Sequence, residues 1–386
     1  MRYLLLFATA LLVTCAPAGS ASVTVTGRPV ASSAPVSPSV VPSAGPHLYR
    51  DIAAVGAFAQ LSPDGRTLVS IVGQNTGVPS MVFQSLDGIV LGRWNDPMAA
   101  RTSTWLPDSS GVFVELAAPQ KAGPLGVVST DGRLIVTGLD DSSTALSPDG
   151  KWVAADRQTG CCVSIGMHEI SIAPREGGTP RALVVSKDPA LQPLLFLGWS
   201  ATGEVIYRDG ATFGRSTIAG RVTEIAAPDS AHTRMPGPGV ASPDRRVILT
   251  CSADPQQFWI VANGAVTDPP AGLTPAWPLR LPWCSQQSEV HWLQGHELLY
   301  RDPSGQLVAF DAVAGARRPV RLPAGATIIA ASDDVLLVSI GAELHLIAAS
   351  TGLDRVVGLG LDRVSAQPIA GGRFFIVAGR AGYLIG

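Results

Sequence analysis

The chain has 386 residues, 46% of them apolar and 15% charged, with a formal net charge of −2. That is ample material for a large core, and the absence of a basic block argues against a nucleic-acid partner. The 41 Gly and 31 Pro follow no collagen period and suit a chain of many turns.

Residues 1–14 have the layout of an export signal. Arg2 is followed by an apolar run, Tyr3 to Val13, that is too short to span a bilayer. Leu12-Val13-Thr14-Cys15 resembles the lipobox of bacterial lipoproteins, although that family prefers Gly, Ala or Ser where Thr14 stands. The resemblance implies a lipidated Cys15 at the mature N-terminus; ordinary cleavage after Ala18 or Ala21 is the alternative. Residues 15–46 begin with Cys15 and continue in Ala, Ser, Pro, Val, Thr and Gly, with Arg28 the only charge. Such a stretch lacks core-forming side chains and is expected to act as a disordered tether reaching roughly 30 Å.

From residue 47 to 386 the chain repeats, and this region is expected to form a single domain. Ser62-Pro63-Asp64-Gly65 recurs intact at Ser147-Pro148-Asp149-Gly150. Altered copies stand at Leu106-Pro107-Asp108-Ser109, Ser200-Ala201-Thr202-Gly203, Ser242-Pro243-Asp244-Arg245, Leu293-Gln294-Gly295, Ser332-Asp333-Asp334 and Ala370-Gly371-Gly372. Pro presets φ, Asp bonds the turn backbone and Gly takes the left-handed position, so each copy predicts a tight hairpin. A second turn follows in each unit, at Asp87-Gly88, Asp131-Gly132, Gly177-Gly178, Ala219-Gly220, Asn263-Gly264, Ala314-Gly315 and Thr351-Gly352. Successive glycines of this mark lie about 37 to about 51 residues apart, the period of propeller blades. With short aliphatic runs between the marks, each unit reads as four antiparallel strands.

The two marks in register resemble the TolB-type, WD-repeat-like (SPDG-repeat) propellers. The resemblance covers about 47–386 and implies an all-β propeller; it implies little about function, because that family includes binding proteins, sensors and the propeller halves of peptidases. Seven units are complete. The last stretch supplies only three strands, and Leu48 to Ile52 has no unit of its own. Placing that segment as the fourth strand of the final blade closes the ring and gives eight blades, with seven as the alternative.

In a four-stranded meander the two marked turns fall on one face of the disc. The second-to-third loops and the blade connections fall on the other. The marked turns are short and uniform; the opposite face carries Gln74–Ser80, Ala117–Pro124, Gln158–Ser164, Arg208–Gly214, Ala227–Gly239 and Val266–Ser285, and is the expected functional face. Candidate partner contacts there are Trp277 and Trp283, set among prolines, and the matching strand ends Tyr207-Arg208-Asp209 and Tyr300-Arg301-Asp302. Each has a structural alternative: rings capping a blade interface, or local ion pairs. Trp105, Trp199 and Trp292 share one position before the first mark, which predicts blade-to-blade packing.

Enzyme motifs are absent. Gly198-Trp199-Ser200-Ala201-Thr202 lacks the second Gly of a nucleophile elbow, and His168-Glu169 and His296-Glu297 lack the second His of a zinc helix. His291 and His296 flank one turn, where a solvated pair is the simpler reading. No catalytic residue, metal site or cofactor is expected. Apart from Cys15 there are four cysteines, an even number in an exported chain. Cys251 and Cys284 fall on the loop face one blade apart and are expected to pair, whereas Cys161 and Cys162 are adjacent. The expected protein is an exported, membrane-tethered, monomeric binding or scaffold module for a protein, peptide or glycan. A hydrolase or lyase with its site in the central channel is the alternative.

Overall fold

The computed structural model describes residues 49–52, 57–73, 79–95, 102–116, 124–140, 144–159, 167–186, 194–232, 239–251, 258–276, 290–360, 364, 366–378 and 381–386. They form eight antiparallel sheets, the blades of a propeller. Blade one comprises Ala57–Leu61, Thr67–Val72, Ser80–Ser85 and Val90–Asn95, paired in chain order, and blades two to five and seven repeat this meander. Blade eight has the closure expected from the sequence. Its chain-order strands are Ala366–Ile369, Arg373–Ala378 and Ala381–Ile385, and Tyr49–Ile52 adds the outermost, with Tyr49 opposite Ile385 and Ile52 opposite Gly382.

The core lies between blades. Eight buried clusters each join two successive blades. The one that shuts the ring combines Ile52, Ile369 and Phe375 of blade eight with Leu61 and Leu68 of blade one. The tryptophans before the first mark belong to this packing: Trp105 Nε1 donates to the Gln60 carbonyl of blade one at 3.3 Å, and Trp199 Nε1 to the Ala145 carbonyl of blade three at 2.9 Å.

The first mark works as its residues dictate. Ser62 Oγ donates to Asp64 Oδ1 at 2.6 Å and accepts from the Thr67 amide at 2.9 Å, and Asp64 Oδ1 accepts from the Arg66 amide at 3.1 Å. Ser147 and Asp149 repeat the pattern, and the Ser147 hydrogen bond helps hold the Asp149 carboxyl below its ordinary value. The altered copies keep the positive φ without glycine, at Ser109 (59°) and Arg245 (59°). At Gly132 and Gly177 the glycine of the second mark also packs against the outer strand of the preceding blade, whereas Gly220 and Gly315 have open space. A Cβ on Gly132 (φ +89°) would lie 2.4 Å from the Arg93 carbonyl oxygen.

Three loop expectations change. Arg208–Gly214 is a two-residue turn, since Asp209 already pairs with Thr212. The stretch after Val266 is more than a connection: Thr274–Pro275 pairs with Arg301 and Tyr300, and Trp292–Leu293 with Leu298 and Glu297, so two separate stretches of chain make the inner edge of blade six. One helical turn, Asp229–His232, interrupts the β pattern between blades four and five.

Candidate functional site

The first strand of each blade faces the axis and the fourth faces outward, as the exposure of Val222–Ile225 and Ala316–Pro319 shows. The described axial strands read AFAQL, TSTW, TAL, LLFLGW, VA, TP, WL, TIIAAS and AQPI. None of these residues is Asp, Glu, His, Lys or Arg. A charged side chain from a turn reaches one of these strands. Arg245, which replaces the glycine of the first mark in blade five, passes blade four and donates through Nη1 to the Leu146 carbonyl of blade three. Burial lowers its pKa, and it makes no ion pair among the described residues.

The turn face is largely consumed by its own structure. Arg175 donates to Asp108 at 2.8 Å across blades two and three. His296 stands between Asp244 Oδ2 at 2.6 Å and Asp311 Oδ1 at 3.4 Å, joining blades five and six. Arg318 bridges Glu297 at 2.6 Å and Asp334 at 3.1 Å, joining six and seven. His291, pushed down to about 4 by burial, has no part in the His296 cluster. No group of three or more metal-ligating side chains occurs among the described residues.

Of the sequence candidates on the opposite face, Trp277, Trp283 and Cys284 lie outside the described residues, as do Cys15, Cys161 and Cys162. Cys251 ends the second strand of blade five with its backbone opposite Phe258. The two Tyr-Arg-Asp strand ends are not brought to one site. Side chains alternate along each strand: Tyr207 and Tyr300 face the preceding blade, and Arg208 and Arg301 the following one, the sides on which Ile206 and Leu299 pack. Arg208 is 1% exposed, its guanidinium 5.4 Å from the Phe213 ring and its Nε 2.5 Å from the Gly210 carbonyl, and burial lowers its pKa to about 10. Asp209 accepts from Ser186 Oγ at 2.6 Å, tying blade four to blade three.

Blade six differs because Arg301 pairs with Leu307, leaving Asp302 to Gln306 as a wider turn. Asp302 caps that turn, accepting from Ser304 Oγ at 2.6 Å and the Gln306 amide at 2.9 Å; the Ser304 bond holds its carboxyl below the ordinary value. Arg301 therefore stays exposed and opens onto a groove of about 550 Å³ formed by blade six and the connection that leaves it. Gln306, Leu307, Val320, Arg321 and Pro323 line it with Arg301. Sequence reasoning missed Arg321, which follows the outer strand of blade six and carries no local motif.

No family model matches the chain, and no curated protein matches it. Solved propellers do. A chain from Agrobacterium tumefaciens provisionally identified as TolB is 20% identical, with 77% of this chain and 92% of that one covered and a TM-score of 0.37. The C-terminal WD40 domain of Sif2 is 10% identical, with 88% and 97% covered and a TM-score of 0.48. Dipeptidyl peptidase 4 of Porphyromonas gingivalis is 9% identical, with 85% of this chain and 56% of that one covered and a TM-score of 0.52. At these identities the likeness is one of fold.

Proposed function

We propose that this chain is an exported, lipid-anchored, monomeric propeller of the TolB-like kind that binds a protein, peptide or glycan through its loop face over blades four to six. The observation that supports binding over catalysis is the absence of ionisable side chains from the described axial strands. The marked turns of the other face offer little to a partner, because their aspartates are held by their own turns and by neighbouring blades. Trp277 and Trp283 fall, in sequence, between Thr274–Pro275 and Trp292–Leu293 of blade six, and tryptophan anchors typically carry about 2 kcal/mol or more.

In the double variant Trp277→Ala, Trp283→Ala, capture of the native membrane partner should be lost while the melting temperature stays nearly unchanged. A large fall in melting temperature would make both rings part of the core and remove them from the binding surface. Two covalent features belong to the same reading. Cys15→Ser should move the protein from the membrane to the soluble exported fraction, since the acyl chains supply the membrane affinity; an unmodified mature N-terminus at Gly19 or Ser22 contradicts the anchor. A Cys251–Cys284 bridge is expected to contribute about 3–4 kcal/mol, and free thiols at both positions after non-reducing alkylation contradict it.

A further inference from the structure

We infer that the inner edge of blade three, at its turn-face end, binds a carboxylate ligand, with Arg245 and the backbone amide of Leu146 as the two donors. The site lies on the face opposite the proposed partner surface and does not depend on that reading.

The first observation is an unmatched charge. Arg245 is half-buried, and burial lowers its pKa. Its one side-chain hydrogen bond among the described residues runs from Nη1 to the Leu146 carbonyl, a neutral acceptor. A guanidinium carries five N–H donors, so most of them are left without a protein acceptor there. The carboxylates of the turns in blades three, four and five are already taken. Asp149 accepts from Ser147 Oγ at 2.6 Å, Glu204 faces Arg215 at 3.4 Å and Asp244 faces His296 at 2.6 Å. A cation withdrawn from water without a counter-charge is costly, and a bound anion relieves that cost.

The second observation is an unmatched donor beside it. Leu146 stands opposite Val153, one step inside the 2.8 Å hydrogen bond from the Ser147 amide to the Trp152 carbonyl. Ladder bonds alternate along an antiparallel pair, so Leu146 turns both its N–H and its C=O off the inner edge of the sheet. Blade one shows how such an edge is completed. Leu61, in the equivalent position opposite Leu68, donates its amide to Gln367 Oε1 at 2.9 Å and accepts from Gln367 Nε2 at 2.8 Å. That side-chain amide supplies an acceptor and a donor together. In blade three Arg245 supplies only the donor, because a guanidinium has no acceptor. The Leu146 N–H is left without an acceptor among the described residues.

A carboxylate supplies what both groups lack. Its two oxygens are spaced like the oxygen and nitrogen of a side-chain amide. One can accept from the Leu146 N–H and the other from a free Arg245 donor, which closes in blade three the pattern that Gln367 closes in blade one. Bonds to an ionised partner are roughly twice as strong as neutral ones, so the anion adds to the carbonyl contact that already holds the side chain. One cation balances one carboxylate. A phosphate group would bring about −1.5 to −2 at pH 7 and leave the excess unbalanced. A neutral amide would satisfy the Leu146 N–H but not the charge.

The test is an acetate titration of the isotope-labelled full chain, followed by nuclear magnetic resonance at the Leu146 amide, with acetamide, chloride and inorganic phosphate at matched ionic strength. Acetate should shift that amide saturably, acetamide and chloride should not, and phosphate should bind more weakly than acetate. Arg245→Gly restores the residue of the intact marks at a left-handed position (φ 59°), so the turn should fold as before. It should weaken acetate binding by about tenfold or more, and Arg245→Lys should retain part of the affinity through its charge. No saturable shift, a shift that chloride reproduces, phosphate binding as tightly as acetate, or a response unchanged in Arg245→Gly would each overturn the inference. Trp277→Ala with Trp283→Ala should leave the acetate response intact, so this site and the loop-face surface fail separately.

Discussion

A chain that begins at residue 55 is expected to aggregate, whereas one that begins at residue 47 should remain monomeric with the melting temperature of the intact domain. The first lacks Tyr49–Ile52, the outermost strand of blade eight, and so exposes the unpaired edge of Ala381–Ile385. It also loses Ile52, 6% exposed, from the cluster that joins blade eight to blade one. Burial of such a side chain stabilises by about 1.5–3 kcal/mol. The larger consequence is loss of closure, since every blade relies on two neighbours for its core. Light scattering with a urea titration of both chains checks this; a monomeric, fully stable chain from residue 55 would contradict the role given to the N-terminal strand.

Gly132→Ala and Gly315→Ala should differ sharply although the two glycines occupy equivalent turns. Both have positive φ, +89° and +70°, so each alanine costs about 1–2 kcal/mol in backbone strain. Only Gly132 is also crowded: its added Cβ would lie 2.4 Å from the Arg93 carbonyl oxygen, and no side chain can yield to relieve it. Gly315 has nothing within 4 Å. Overpacking adds about 1–3 kcal/mol, so Gly132→Ala should lose about 2–5 kcal/mol in all and Gly315→Ala only the first part. Equal losses in denaturant titrations would mean that the outer strand of blade one is free to move away from blade two.

The architecture was legible in the sequence because its signals are local. Ser62, Asp64 and Gly65 bond within one turn, and the same chemistry survives at Arg245 and Ser109 because the backbone there still turns left-handed without glycine. The inner strand of blade six was not legible. Thr274–Pro275 is too short to signal a strand, its Pro is tolerated at an inner edge, and the second stretch of that edge, Trp292–Leu293, lies well beyond it in the sequence. Arg208–Gly214 looked like a varied loop, yet Thr212 pairs directly with Asp209 and the turn is closed in two residues.

The candidate site was half legible for a related reason. Arg301 could be placed at a strand end, and alternation along that strand carries it to the side of blade seven. Arg321 is twenty residues away, beyond the outer strand of the same blade, and lines the same groove only through the folding of that blade, which no local pattern encodes. The opposite fates of Arg208 and Arg301 are likewise a matter of register. Asp209 stays in the ladder and a tight turn folds over Arg208, whereas Asp302 leaves the ladder to cap a wider turn and Arg301 remains outside.

Hydrogen exchange on the protein with its captured native partner tests the binding account most directly. The account predicts new protection in the second-to-third turn of blade six, from Asp302 to Gln306, and in the connection from Val320 to Ala326, with the turns at Ser62–Gly65 and Ser147–Gly150 unchanged. Protection centred on those marked turns, with the blade-six segments exchanging as in the free protein, would contradict it.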